Sequence, residues 1–133
     1  MASLAFALTP VLLLAANGLS DDLQKQYDRL SIALSMADTC RQHGYDVDVA
    51  GLNEWKVAAV DRAVEGGMER DSAQQRLDRQ IEREYDSVRR EFEGAQRGGG
   101  RDRAERFNRR MKRSCERISE DDMTGGYFYP PED

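Results

Sequence analysis

The residues best suited to chemistry in this chain are its two cysteines and its one histidine. Cys40 and His43 stand in a C-x-x-H spacing, which places two potential metal ligands on one face of a helix. A structural zinc site needs two further ligands and a free thiolate at Cys40. We therefore interpret His43 as a surface residue near the end of a helix, and we predict no metal and no cofactor.

The remaining polar residues do not predict catalysis. A nucleophilic serine or cysteine needs an adjacent base, and one histidine at a helix end does not complete a triad. Carboxylate pairs such as Glu82 and Asp86 are typical of solvated helix faces in a chain that is 34% charged. The glycine run 98–100 opens a helix, as phosphate loops do, but no predicted strand precedes it and no Lys-Ser or Lys-Thr pair follows it. We expect a protein that is not an enzyme and has no catalytic residues.

The two cysteines, Cys40 and Cys115, are predicted to form a structural disulfide. Each cysteine falls on or beside the apolar stripe of a predicted helix. A bond closing a loop of 75 residues would stabilise the fold by about 4.5 kcal/mol according to the chain-entropy estimate. The alternative is a pair of buried free thiols in a cytosolic protein, which requires that the N-terminal segment is not an export signal.

The N-terminal segment predicts export. Residues 1–18 are uncharged and mostly apolar and end in small residues, as in a signal peptide cleaved after Ala16 or Gly18. The basic residue that usually begins such a signal is missing. The alternative is a retained inner-membrane anchor formed by residues 2–19. Both interpretations place the folded part outside the cytoplasm. A cleaved signal makes it periplasmic or secreted, and a retained segment anchors it to the inner membrane.

The residues that follow predict a bundle of about four amphipathic helices over residues 19–123, with a tail over residues 124–133. All three prolines lie outside the bundle, and apolar residues recur every three or four positions. Ser20 or Asp21 is expected to cap the first helix, whose stripe is Leu23, Tyr27, Leu30, Leu34 and Ala37, and Gly44 to end it. Asp48 is expected to cap the second helix. The third helix is expected to begin at Asp71 or Ser72, and the glycine run 98–100 precedes the fourth.

The disulfide constrains how these helices are arranged. The Cα atoms of a disulfide lie within ~7 Å of each other. In a simple up-down-up-down bundle, Cys40 lies at the top of the first helix, whereas Cys115 lies about 21 Å below the top of the fourth. We therefore predict an all-α bundle, stapled by one disulfide, that is not simple up-down-up-down. The C-terminal part of the fourth helix is expected beside the end of the first.

Two features predict a partner-binding surface. The first is a basic face on the fourth helix, formed at helical spacing by Arg103, Arg106, Arg110, Arg113 and Arg117. Its alternative is a solvated face neutralised by neighbouring acidic residues. The second is the aromatic tail, formed by Tyr127, Phe128 and Tyr129. The tail is expected either to fold back over the bundle or to dock into the groove of a partner.

These observations predict a non-enzymatic exported interaction or structural protein of the bacterial cell envelope. The alternative is a small periplasmic stress chaperone that exposes its apolar stripes on acidification. The formal net charge of −5 does not favour nucleic acid as a partner. The expected partner is an unidentified envelope protein or an anionic surface, with membrane contact only if the N-terminal segment is retained. A homo-oligomer is compatible with the fourth apolar stripe.

Overall fold

The computed structural model describes residues 18–98 and 100–132. These residues form four α-helices, α1 (Asp21–Gln42), α2 (Val49–Glu65), α3 (Arg70–Gln96) and α4 (Gly100–Glu120). Two short strands, β1 (Asp46–Val47) and β2 (Phe128–Tyr129), and a 3-10 helix (Gly125–Tyr127) complete the fold. The predicted all-α class is confirmed. The predicted signal peptide, except Gly18, lies outside the described residues, and no helix within them is long and apolar enough to cross a membrane.

The first two helices begin and end where their local chemistry predicts. The Ser20 side chain accepts a hydrogen bond from the Leu23 amide, and the Asp48 side chain accepts one from the Gly51 amide. Gly44 follows α1 with a φ of 92°, and a β-carbon there would lie 3.2 Å from Pro131. Glycine is therefore required at this turn for its conformation and for the close approach of the tail.

The third helix begins slightly earlier than predicted. It starts at Arg70 rather than at Asp71 or Ser72, and Glu69 in the capping position makes no side-chain hydrogen bond. The buried Ala73 anchors this first turn, because its carbonyl accepts a hydrogen bond of 3.0 Å from the Tyr27 hydroxyl of α1. Tertiary packing, not a capping side chain, sets this helix start.

The helices α1 and α3 form a parallel central pair. Arg76 of α3 donates to Gln24 of α1, and further along both helices Gln80 donates to Asp28. The helix α2, which connects them in the chain, runs antiparallel to α3. Asp61 of α2 pairs with Arg70 at 2.8 Å, and Lys56 pairs with Asp78 at 3.0 Å. The parallel orientation of α1 and α3 therefore follows from the reversal at each end of α2.

The flanking helices α2 and α4 each pack against both members of the central pair. In a simple up-down-up-down ring, α1 and α3 would be diagonal, whereas here they are in direct contact. The first half of α4 packs on the last turns of α3, with the rings of Phe92 and Phe107 5.7 Å apart. Its second half reaches α1 at the Cys40–Cys115 disulfide, whose Cα atoms are 5.6 Å apart. The predicted disulfide and the departure from a simple bundle are both confirmed.

The central helix α1 is buried around much of its circumference. Leu34, expected in the core, is only half-buried, whereas Ser31, Ala33 and Ser35 are buried. Small side chains at these positions let neighbouring helices approach closely. The two serine hydroxyls donate to backbone carbonyls within α1, at 2.7 Å for Ser31 and 2.9 Å for Ser35, so their burial leaves no polar group unpaired.

The tail packs back on the bundle. Val47 of β1 pairs antiparallel with Phe128 of β2, which is only 1% exposed, so a two-residue ladder exists where the sequence predicted no useful strand. The ring of Tyr127 stacks on Trp55 with centroids 5.5 Å apart. Thr124 is buried, and its hydroxyl donates to the carbonyl of Ile118 at 2.7 Å. The tail therefore contributes to the same core as the helices.

Candidate functional site

The five arginines of the predicted basic face lie along one side of α4 and differ in their contacts. Arg103 donates to the carbonyl of Gly94 at 3.4 Å, and Arg110 pairs with Glu91 at 3.7 Å. Arg117 donates to Ser114 at 3.3 Å. Within the ranges 18–98 and 100–132, no carboxylate lies within ion-pair distance of Arg103, Arg106, Arg113 or Arg117. The face is thus only partly neutralised by neighbouring acidic side chains.

The charge of α4 is opposite to that of the rest of the chain. The sequence of α4 contains eight basic and four acidic residues, whereas the remainder contains twelve basic and twenty-one acidic residues. Most basic residues of α4 are exposed, because its buried side is confined to Phe107, Met111, Cys115 and Ile118. The result is a positive strip on an otherwise acidic molecule.

A pocket of about 380 Å³ lies beside this strip, between the last turns of α3 and the first half of α4. Its lining is Glu91, Gly94 and Ala95 of α3 and Arg103, Arg106 and Arg110 of α4. The sequence did not predict this pocket, because it depends on which side of α4 faces α3. The signal available in the sequence was the adjacent pair of small residues, Gly94 and Ala95.

A second cleft, of about 440 Å³, lies between α1, α3 and α4. Its apolar lining consists of Ile32, Met36, Val88, Met111 and Ile118. Arg29 and Asp121 border the cleft and pair at 3.2 Å, and Arg117 lines it as well. The arginine face of α4 therefore extends from the α3–α4 pocket to the border of this cleft.

The predicted aromatic residues of the tail occupy different environments. Phe128 is buried and Tyr127 is partly buried against Trp55, whereas Tyr129 is 53% exposed. Among the described residues, no hydrogen bond or ring contact joins these tail residues to the arginine face. Of the three, only Tyr129 is exposed to solvent over about half of its surface.

The cysteines and the histidine do not form a reactive site. Cys40 and Cys115 are fully buried and bonded to each other, and the part of the chain that the structure describes contains no free cysteine. His43 is half-buried beside the end of α1. Among the described residues, no group of three or more His, Cys, Asp or Glu side chains is arranged to hold a metal ion. The disulfide indicates a compartment outside the cytoplasm.

Two tyrosines have shifted protonation equilibria, and both lie in the core. Burial raises the pKa of Tyr27, and the nearby Arg76 opposes this shift only in part. Burial also raises the pKa of Tyr45, against a hydrogen bond with Ser119, and the carboxylates of Glu116 and Glu120 add to the increase. Neither hydroxyl lines the α3–α4 pocket or the larger cleft. These shifts therefore reflect core packing, not an acid–base site.

No protein-family model matches the chain, and no curated protein or solved structure is significantly similar to it. The fold and the site define a small all-α protein with one buried disulfide and a basic helix face. Its function is therefore inferred from the geometry and the charge of that face.

Proposed function

We propose that this chain is an exported, non-enzymatic interaction protein of the bacterial cell envelope that binds an acidic partner through the arginine face of α4. The observation that carries the proposal is the positive strip on an otherwise acidic molecule. Such an uneven charge distribution attracts and orients an anionic partner before contact. The disulfide supports an oxidising compartment, the periplasm or the cell exterior.

The contacts of the arginine face favour binding over a merely solvated face. Arg110 is the only one of its five arginines with an acidic side chain within 4.0 Å among the described residues. Arg106 and Arg113 are exposed and lie two turns apart on the same side of α4. A face with unpaired guanidinium groups retains donors that fit carboxylate, sulfate or phosphate oxygens.

The test compares two triple variants with the same change in net charge. Arg106→Gln, Arg113→Gln and Arg117→Gln remove charge from the arginine face, whereas Arg79→Gln, Arg83→Gln and Arg90→Gln remove it from exposed positions of α3. The face variant is expected to elute from a heparin column at a clearly lower salt concentration than the α3 variant, because the sulfated polymer binds where the positive charge is concentrated.

In-cell crosslinking of the same variants then identifies the physiological partner. The wild type and the α3 variant are expected to yield the same crosslinked species, identified by mass spectrometry, and the face variant is expected to lose it. Equal elution and equal crosslinking for the two triple variants would contradict the proposed role of the arginine face.

A second candidate function is that of an acid-stress chaperone, which is favoured by the ion pairs between structural elements. Lys56–Asp78, Arg70–Asp61, Arg29–Asp121 and Arg110–Glu91 each join different parts of the bundle. These pairs hold the elements together, and the rings of Tyr85 and Phe92 on α3, 43% and 46% exposed, already offer apolar surface to a client.

This second function predicts that the protein suppresses aggregation of an unfolded client as the pH falls from about 7 to about 3, a range that brackets carboxylate titration. Light scattering by a heat-denatured client protein measures the effect. An aggregation rate that is the same with and without the protein throughout this range excludes the chaperone function.

A further inference from the structure

The pocket between α3 and α4 has the chemistry of an oxyanion site. We propose that it binds a phosphate group through Arg103, Arg106 and Arg110, which specifies the chemistry of the acidic partner and rests on the function proposed above. The phosphate is a monoester, carried either by a lipid headgroup or by a water-soluble compound, and both sources present the same three terminal oxygens to the pocket.

The three arginines supply the donors. They lie within eight residues on one side of α4, at the spacing that places successive side chains next to each other. The contacts of Arg103 with Gly94, at 3.4 Å, and of Arg110 with Glu91, at 3.7 Å, are long and use only part of each guanidinium group. Each group retains N–H donors, whose planar fork fits two oxygens of a phosphate.

The net charge of the pocket matches phosphate better than carboxylate. Three guanidinium groups and the carboxylate of Glu91 leave two positive charges. A phosphate monoester carries nearly two negative charges at neutral pH and has three strong acceptor oxygens. A single carboxylate would leave one positive charge unbalanced. Arg103 also lies in the first turn of α4, where the backbone amides add to the positive potential.

The small residues of α3 provide the space. Gly94 lies inside a helix of 27 residues, where glycine is less favourable than alanine. A β-carbon at this position would have no atom within 4 Å, so packing does not explain the glycine. The missing side chain leaves open part of the volume of about 380 Å³ between the two helices. Gly94 and Ala95 are thus the small residues that line the pocket opposite the three arginines.

The first experiment titrates the full protein with inorganic phosphate and follows the backbone amide signals by NMR, with acetate at equal ionic strength as the control. Phosphate is expected to shift the signals of residues 91–110 in a saturable manner, with an affinity at least about tenfold higher than that of acetate. Equal affinity for the two anions overturns the assignment of the pocket to phosphate.

The variants separate the pocket from the general charge of the face. Arg106→Gln is expected to weaken phosphate binding about tenfold, whereas Arg113→Gln, on the same face but outside the pocket, changes it less than about twofold. Gly94→Leu fills the pocket without a change in charge and is expected to weaken binding about tenfold, whereas Gly94→Ala retains binding. Circular dichroism and thermal unfolding check that each variant is folded.

The outcomes distinguish the phosphate pocket from the proposal that the arginine face binds an acidic partner. If Arg106→Gln and Arg113→Gln weaken phosphate binding equally and Gly94→Leu has no effect, the pocket proposal is overturned, while binding by the arginine face stands. If the heparin elution of the two triple variants is also equal, both proposals are overturned.

Vesicles identify the source of the phosphate. Vesicles containing phosphatidic acid, whose headgroup is a phosphate monoester, are compared with pure phosphatidylcholine vesicles. Binding to the first but not to the second, lost in Arg106→Gln and competed by inorganic phosphate, supports a lipid headgroup. Phosphate binding with no binding to either vesicle supports a water-soluble phosphate compound. Vesicle binding that Arg106→Gln leaves unchanged overturns the pocket as the site of lipid contact.

Discussion

Tyr27 joins the two central helices through one hydrogen bond inside the core. Its side chain is fully buried, and its hydroxyl donates to the carbonyl of Ala73 at 3.0 Å. This contact attaches the first turn of α3 to α1. A tyrosine combines a large apolar surface with a single donor, so it fills the space between packed helices and also bonds a backbone carbonyl of the neighbouring helix.

Replacing Tyr27 with phenylalanine tests this contact. The change removes one buried hydrogen bond, while the Ala73 carbonyl keeps its acceptor role within the helix, so the free energy of unfolding is expected to fall by about 1 kcal/mol. Urea denaturation followed by circular dichroism measures the difference. Tyr85→Phe, at a tyrosine that is 43% exposed, is the matched control and is expected to change stability by less than about 0.5 kcal/mol. Equal effects of the two substitutions would show that the hydrogen bond contributes nothing.

The buried tyrosines also predict how stability depends on alkaline pH. Burial raises the pKa of Tyr27 and of Tyr45, so each side chain holds its proton more tightly in the folded state than in the unfolded state. This stabilisation is fully present below the unfolded value near 10 and is lost as the pH rises through the folded pKa.

Urea denaturation at a series of alkaline pH values is therefore expected to show falling stability as the pH rises above about 10. The double variant Tyr27→Phe/Tyr45→Phe is the control, and its stability should fall less steeply over the same range. A slope equal to that of the wild type would assign the alkaline sensitivity to other groups.

The packing of the tail on the bundle depends mainly on one side chain, Phe128. This residue is 1% exposed, and its strand pairs with β1 between the first two helices. Phe128→Ala is expected to lower the free energy of unfolding by about 3–5 kcal/mol, because it removes a buried aromatic ring and leaves a cavity. Thermal and urea unfolding measure the loss.

The adjacent Tyr129 provides the control for this prediction. It belongs to the same strand but is 53% exposed, so Tyr129→Ala is expected to cost less than about 1 kcal/mol. Deletion of residues 125–133 should destabilise at least as much as Phe128→Ala. A deletion variant that melts at the wild-type temperature would contradict the role of the tail in the core.

The limits of the helices could be predicted where local chemistry decides them, and not elsewhere. Ser20, Gly44 and Asp48 act within three residues of their own positions, so the sequence pattern reveals their roles. The start of α3 and the β1–β2 ladder depend on residues far apart in the chain, and no local pattern marks such pairs. The α3–α4 pocket was not predicted for the same reason, because its lining comes from two helices.

The whole molecule is held together by the disulfide between α1 and α4. Reduction is expected to lower the free energy of unfolding by about 4.5 kcal/mol, the chain-entropy value for a loop of 75 residues. Urea denaturation with and without dithiothreitol measures this change. The double variant Cys40→Ser/Cys115→Ser is the control, since its stability should not respond to the reductant. A wild-type protein that is equally stable in both conditions would contradict the prediction.

The arrangement of the whole bundle was only partly predictable. The spacing of Cys40 and Cys115 excluded the simplest bundle, because a covalent bond limits distance regardless of side-chain packing. It did not reveal that α1 and α3 form the central pair. The small residues Ser31, Ala33 and Ser35 mark the central position of α1, because all three are buried. Their burial depends on neighbouring helices, which a periodic pattern in the sequence does not identify.

The late position of Cys115 and Phe128 in the chain has a consequence for biosynthesis. Ribosomes add residues from the N-terminus onward, and both residues complete contacts with segments made much earlier, Cys40 and Val47. A nascent chain that ends before residue 115 therefore lacks the cross-link and part of the core. It should remain protease-sensitive and loosely folded until residues 115–133 are made, so that folding is completed only after synthesis of nearly the whole chain.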